Sequence, residues 1–181
     1  MPTPSTRPTR FRRPVLLIVG CGDVGLRVVR QLAGRWRVLA LTSTAARAPE
    51  LRAAGVVPLV GNLDEPSTLG RLGGLADAVL HLAPPAREGG TDERTRHLLE
   101  ALARQGRVRR LVYGSTTGVY GDAGGARFAE TRAGNPATGR GRRRTAAPEA
   151  HRAGARPAPL RNGWRWSVRR PGIHGCAFSS P

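Results

Sequence analysis

The stretch VLLIVGCGDVGLRVVRQL, residues 15–32, constrains the fold more than any other part of the chain. Five apolar residues, Val15 to Val19, run into Gly20-x-Gly22-x-x-Gly25, and a helical pattern follows at once. A short apolar run bounded by glycine reads as a buried parallel strand. In the helix, Val24, Val28 and Leu32 recur at i, i+4 and i+8, with Val29 beside them, and Gly34 is placed to end it. Glycines at this spacing, after a strand and before a helix, form the context in which the pattern marks a phosphate-binding turn. Gly20 permits the tight turn, Gly22 lets a pyrophosphate approach the backbone, and Gly25 lets helix and strand pack closely. Asp23 and Val24 complete the loop, and the helix N-terminus favours phosphate charge. The expected ligand is a dinucleotide; the plain alternative is a glycine-rich turn that binds nothing.

The same alternation continues. RVLALT (37–42) reads as a second strand, 45–54 as a short helix stopped by Gly55, and VVPLV (56–60) as a third strand. The proline in that third strand favours an edge position. Residues 66–75 read as a weak, glycine-rich helix and DAVLHLA (77–83) as a fourth strand. A helix over 92–105 has Asp92 and Glu93 in its first turn, a stripe of Leu98, Leu99 and Leu102, Arg104 near its end and Gly106 beyond. RRLVYG (109–114) is the fifth strand. Strands alternating with helices imply an α/β fold with a doubly wound parallel sheet, whose ligands sit at the carboxyl ends of the strands. The glycine loop and the hydroxyl run Ser115, Thr116, Thr117 both fall at such ends.

The second strand's end bears on which dinucleotide is bound. An acid about 20 residues beyond the glycine loop would take a ribose 2′-hydroxyl. LALTSTAAR has none: Thr42, Ser43 and Thr44 are neutral, and Arg47 is near. That tilts the expectation from NAD toward NADP, unless Arg47 is merely one arginine more in an arginine-rich chain. In GNLDEPSTL (61–69), Asn62 and Leu63, with Asp64, either border an adenine pocket or make a turn and helix cap. In HLAPPA (81–86), Leu82 and the small Ala83 and Pro84 let a cofactor lie against the fourth strand. His81 alternates within that strand and reads as a packed core residue rather than a base.

The formal charge is +18 and all 30 basic residues are arginine. Residues 1–14 hold four arginines and no acid, 15–131 hold 15 arginines against 11 acids, and 132–181 hold 11 against Glu149 alone. The middle is therefore a balanced domain between a basic arm and an arginine-rich tail, and charge by itself gives nucleic acid only non-specific affinity. Nucleic acid is not the expected partner. No apolar run approaches the roughly 20 residues of a membrane span. Two distant cysteines without Cys-x-x-Cys suggest neither a metal site nor a disulfide framework, so a reducing cytoplasm is expected.

VLLIVGCGDVG, VVPLVGNLDEP, DAVLHLAPPA and LVYGSTTGVYG, in this order at strand ends, resemble the short-chain dehydrogenase/reductase superfamily. The nearer resemblance is to its NAD-dependent epimerase/dehydratase group and atypical relatives, and it covers about residues 14–144. It implies a Rossmann-type NAD(P)-binding domain over 15–144; the basic, Pro-rich start reads as a disordered arm over 1–14, and the Arg/Pro-rich end as an irregular tail over 145–181 with a remnant of a later strand over 166–175. It also implies an oxidoreductase or nucleotide-sugar epimerase/dehydratase acting on a carbonyl or hydroxyl substrate. Thr116 matches the Ser/Thr that hydrogen-bonds the substrate oxygen, Ser115 precedes it, and Tyr120 takes a structural or pocket place.

The resemblance also exposes departures. The family's Tyr-x-x-x-Lys supplies the general acid/base and the cation that lowers its pKa. Aligned on Pro136 in NPATGRGRRR (135–144), those places hold Arg140 and Arg144. An arginine is always protonated and cannot cycle a proton, whereas Arg144 can hold a ribose or phosphate. The chain has no lysine, and its only tyrosines are Tyr113 and Tyr120. WSVRRPGIHG (166–175) is similar to a later strand of the family, with His174 in a tyrosine's place, and the family's substrate-binding part would lie beyond Pro181. Between these segments, 145–165 has no periodicity, as a local reading-frame error would produce; resequencing that returned the same frame throughout would refute that, and a divergent linker is the alternative. A non-catalytic NAD(P)-binding protein or degenerate fragment is the alternative to an enzyme.

Overall fold

The computed structural model describes residues 12–86, 91–114, 124 and 127, together with the backbone of 165–168 and 175–179. Ser115, Thr116, Thr117, Tyr120, Arg140 and Arg144 lie outside the described residues, as does 145–164.

Strands β1 (Val15–Val19), β2 (Arg37–Thr42), β3 (Val57–Val60), β4 (Ala78–His81) and β5 (Arg110–Gly114) alternate with helices α1 (Asp23–Leu32), α2 (Ala48–Ala53) and α3 (Glu93–Ala103). A single 3-10 turn, Ala45–Arg47, precedes α2, and a 3-10 segment, Pro66–Leu72, stands where the weak helix was expected. Gly70 within that segment and Gly73 and Gly74 after it explain why a regular α-helix does not form there. With β6 at Arg165–Val168 and β7 at Gly175–Ser179, the sheet order is β3-β2-β1-β4-β5-β7-β6, with β1 to β5 all parallel. β3 is an edge strand, which accommodates Pro58. The segment 166–175 contributes to two strands, the end of β6 (Arg165–Val168) and the start of β7 (Gly175–Ser179). β7 runs antiparallel to β5, with Tyr113 opposite Cys176.

β1 is buried along its whole length, which is why its sequence is continuously apolar instead of alternating. Its odd residues Val15, Leu17 and Val19 face one layer, with Leu69, Leu72, Leu98 and Leu102. Its even residues Leu16 and Ile18 face the other, with Val29 and Leu51. Each fully buried Leu or Ile contributes about 1.5–3 kcal/mol.

The buried face of α1 differs from the expected stripe. Gly25 and Val29 are buried, Leu26, Val28 and Leu32 flank them, and Val24 is 59% exposed. The close approach decides this: a Cβ on Gly25 would lie 3.0 Å from Cys21 Sγ and 3.3 Å from Ile18 Cγ2. The glycine itself is therefore the contact point, and Val24, one residue earlier, is turned outward.

Asp77 ties the opposite end of the sheet together. Its carboxylate accepts from Val15 N (2.8 Å) and from Arg107 Nε (3.0 Å). Burial pushes this carboxyl's pKa up, but Arg107 and the Val15 amide outweigh it, and the net displacement is downward. Among the described residues, no helix is long and apolar enough to cross a membrane.

Candidate functional site

Parallel strands point their carboxyl ends at one rim, and a cleft of about 300 Å³ opens there. Gly20, Thr42, Arg47, Asn62, Leu63, Ala83 and Pro84 line it, contributed by the exits of β1, β2, β3 and β4. Seven of the candidates named from sequence are thereby brought into one concavity.

Gly20 has φ +83°, and a Cβ there would lie 2.5 Å from Ala83 N. The loop is held in that position because the Val19 carbonyl accepts from both Leu82 N (2.8 Å) and Ala83 N (2.9 Å). Only glycine tolerates both the left-handed backbone and the contact. Leu82, beside Ala83, stands close to β5: a Cβ on Gly114 would fall 2.9 Å from Leu82 Cδ2.

Gly22 is the N-cap of α1, in extended backbone, and among the described residues no side chain caps the helix. A Cβ added to it would meet no atom of the described residues within 4 Å, so among them the backbone faces open space where an anion can approach. Asp23 puts a negative charge beside that turn, and its pairing with Arg27 (2.9 Å) offsets it. Asp23, Val24 and Gly25 occupy the first turn of α1 rather than the wall of the cleft. An uncapped helix start, a glycine with free space and a concavity across the strand ends fit a dinucleotide.

Thr42 Oγ1 accepts from Thr44 N and donates to the Thr44 carbonyl, both at 3.2 Å, closing a tight turn at the β2 exit. Arg47 reaches back from that turn and donates through NH1 to the Cys21 carbonyl (3.1 Å). Its Nε and NH2 donate to Glu50, each at 3.1 Å. Burial pushes the Cys21 thiol's pKa up, Arg47 opposes it and Glu50 adds to it, so the thiol stays protonated.

Asn62 acts as a turn cap while lining the cleft. Its Oδ1 accepts from Asp64 N (3.0 Å), its Nδ2 donates to Glu65 (2.9 Å), and its own N–H donates to Thr68 Oγ1 (2.9 Å). Arg94, on α3, also lines the cleft and was not singled out from sequence. It is clamped by both oxygens of Asp64, with Nε–Oδ1 2.7 Å, and donates to the Pro84 carbonyl at 3.2 Å. Arg94 lies 30 residues from Asp64 in a chain full of arginines, so spacing carried no signal for it. Val19, Cys21, Leu41, Ser43, Thr44 and Gly61 complete the lining.

Beneath the β4 and β5 exits lies a buried polar cluster. Tyr113 OH donates to Asp92 Oδ2 (2.7 Å), and so does Thr95 Oγ1 (2.8 Å), while Thr95 N donates to Asp92 Oδ1 (3.1 Å). With its proton committed to Asp92, the Thr95 hydroxyl accepts from His81 Nε2 at 2.9 Å. The His81 ring meets Tyr113 edge-on at 5.2 Å. His81 is thus a packed core residue, and Tyr113 is turned inward, away from the cleft.

The family model described as NAD(P)H-binding matches residues 20–151. No curated protein matches the chain. Among solved structures, a conserved protein of unknown function from Silicibacter pomeroyi is similar at 31% identity and TM-score 0.62, over 77% of this chain and 48% of that one. A short-chain dehydrogenase/reductase superfamily protein from Agrobacterium tumefaciens, solved with bound NAD, is 27% identical with TM-score 0.60, over 78% and 46%. A UDP-glucose 4-epimerase from Thermus thermophilus, in complex with NAD, shares the fold at 24% identity and TM-score 0.59, over 73% and 48%. The chain spans about half the length of each of these relatives. With the glycine loop, the parallel sheet and the family match agreeing, the chain belongs to the NAD(P)H-binding family, within the short-chain dehydrogenase/reductase superfamily.

Proposed function

We propose that this chain binds NAD(P)(H) across the carboxyl rim of its sheet and serves an NAD(P)-dependent oxidoreductase or nucleotide-sugar epimerase/dehydratase-like reaction. The carrying observation is the open space at Gly22, at the uncapped start of α1, beside a cleft spanning four strand exits. In this reading Gly20, Gly22, Asp23, Val24 and Gly25 present backbone to the pyrophosphate. Thr42 and Arg47 flank the adenosine ribose, which tilts the choice toward NADP(H). Asn62 and Leu63 border the adenine, and Leu82, Ala83 and Pro84 form the surface against which the cofactor lies. Arg144 offers a cation to a ribose or phosphate. The cofactor, when bound, supplies the hydride donor or acceptor. Thr116, with Ser115 before it, hydrogen-bonds the oxygen of a carbonyl or hydroxyl substrate. The proposed compartment is the cytoplasm, in keeping with the free, buried Cys21.

A second reading, a non-catalytic NAD(P)-binding protein, is favoured by a specific observation. Of the two tyrosines, Tyr113 is 3% exposed and bonded to Asp92, so it is not available as an acid in the cleft. With arginine at 140 and 144, only Tyr120 remains.

Titration with NADPH and NADH, followed by turnover assays on carbonyl substrates and nucleotide sugars, separates the two. The enzymatic reading expects turnover that falls at least about tenfold in Thr116→Val, about 1.4 kcal/mol of transition-state stabilisation, with nucleotide affinity unchanged. The second expects binding alone. Failure of both nucleotides to bind would defeat both readings.

A further inference from the structure

Arg47 is the cation that a 2′-phosphate would meet at the β2 exit, yet its donors are already engaged. NH1 holds the Cys21 carbonyl, which fixes the guanidinium against the glycine loop. Nε and NH2 form a two-pronged pair with the two oxygens of Glu50. Glu50 lies in the first turn of α2, three residues on, and is exposed. A phosphate arriving at Arg47 must displace this carboxylate or share the guanidinium with it, and two anions at contact distance of one cation repel. A ribose bearing a 2′-hydroxyl carries no charge there and meets no such opposition; the free carboxylate oxygen lone pairs are even available to accept from it.

We propose that Glu50 is a specificity-determining residue: by occupying Arg47 it restrains the preference for NADP(H) and lets the site accept NAD(H) as well. The inference rests on the reading that the cleft takes a dinucleotide. Glu50 acts through Arg47 and so positions and neutralises; it is not itself assigned a chemical step. The hydrogen bond from Arg47 also holds the Glu50 carboxyl below the ordinary carboxylate range, so its charge persists at neutral pH. A merely structural Glu50, an i,i+3 partner supporting α2, would bear on both nucleotides alike.

The test is the dissociation constants of NADPH and NADH, by nucleotide fluorescence, for the wild type, Glu50→Gln, Glu50→Asp and Arg47→Ala, and for Glu50→Gln combined with Arg47→Ala. Glu50→Gln is expected to tighten NADPH about fivefold, the size an exposed charge pair of this kind produces. NADH should stay within about twofold, less than 0.5 kcal/mol. Glu50→Asp, which keeps the charge, should retain the wild-type ratio. The gain should vanish in the Arg47→Ala background and shrink at about 0.5 M salt, where exposed charges are screened. Equal movement of both nucleotides, or of neither, in Glu50→Gln would overturn the inference while the dinucleotide reading stood. Failure of the wild type to bind either nucleotide would overturn that reading and this inference together.

Discussion

Gly20 and Gly22 stand two residues apart and do different work. Gly20→Ala places a Cβ 2.5 Å from Ala83 N on a left-handed backbone; we expect a loss of about 2–4 kcal/mol in unfolding free energy by denaturant titration. Gly22→Ala meets nothing within 4 Å, so its stability should change by at most about 1 kcal/mol. Its nucleotide affinity should nonetheless fall about tenfold or more, because the added methyl fills the approach to the helix start. The motif foretold a tight turn at Gly20 and an open approach at Gly22, but not what divides them, the contact that closes on Gly20. That division depends on Ala83, some 60 residues away in sequence. Val24 shows the converse: hydrophobic spacing put it on the buried stripe, and the close contact at Gly25 turned it outward. Arg94 was invisible because its partners, Asp64 and Pro84, come from other loops.

At the scale of elements, two carboxylates join segments distant in sequence. Asp77 links the start of β1 to Arg107 ahead of β5, with a depressed pKa. A depressed carboxyl lends stability above its unfolded pKa of about 3.9 and loses it as pH falls through the lower folded value. Wild-type stability should therefore decline below about pH 4, and Asp77→Asn should be less stable at neutral pH and flatter in that acid range, as read by thermal melts from pH 2 to 7. An identical slope in both proteins would remove Asp77 from the account. Asp92 caps α3 and gathers Tyr113 and Thr95 in the core. Tyr113→Phe removes one donor from a buried carboxylate, and a loss of about 1–3 kcal/mol is expected by denaturant titration. The acidic first turn of α3 was legible from sequence. The link to Tyr113 was not, since it requires β5 to lie over the helix start, which only the sheet order supplies.

For the whole molecule, the five parallel strands alternating with helices were readable because local signals agreed: apolar runs, glycine stops and helix caps all favoured parallel crossovers. Pro58 foretold the edge. The resemblance supplied a later strand over 166–175 but not its antiparallel direction: β7 pairs with β5 and β6 with β7, across a separation that no local pattern encodes. The central claim is that the rim made by these strands holds a dinucleotide through the glycine loop. Its most direct test is thermal unfolding of the wild type and Gly22→Ala in rising NADPH and NADH. The wild type is expected to gain about 2.7 kcal/mol at one hundred times the dissociation constant, and Gly22→Ala to need far more nucleotide for the same gain. A wild type whose unfolding neither nucleotide shifts, or a Gly22→Ala protein that responds just as the wild type does, would contradict that claim.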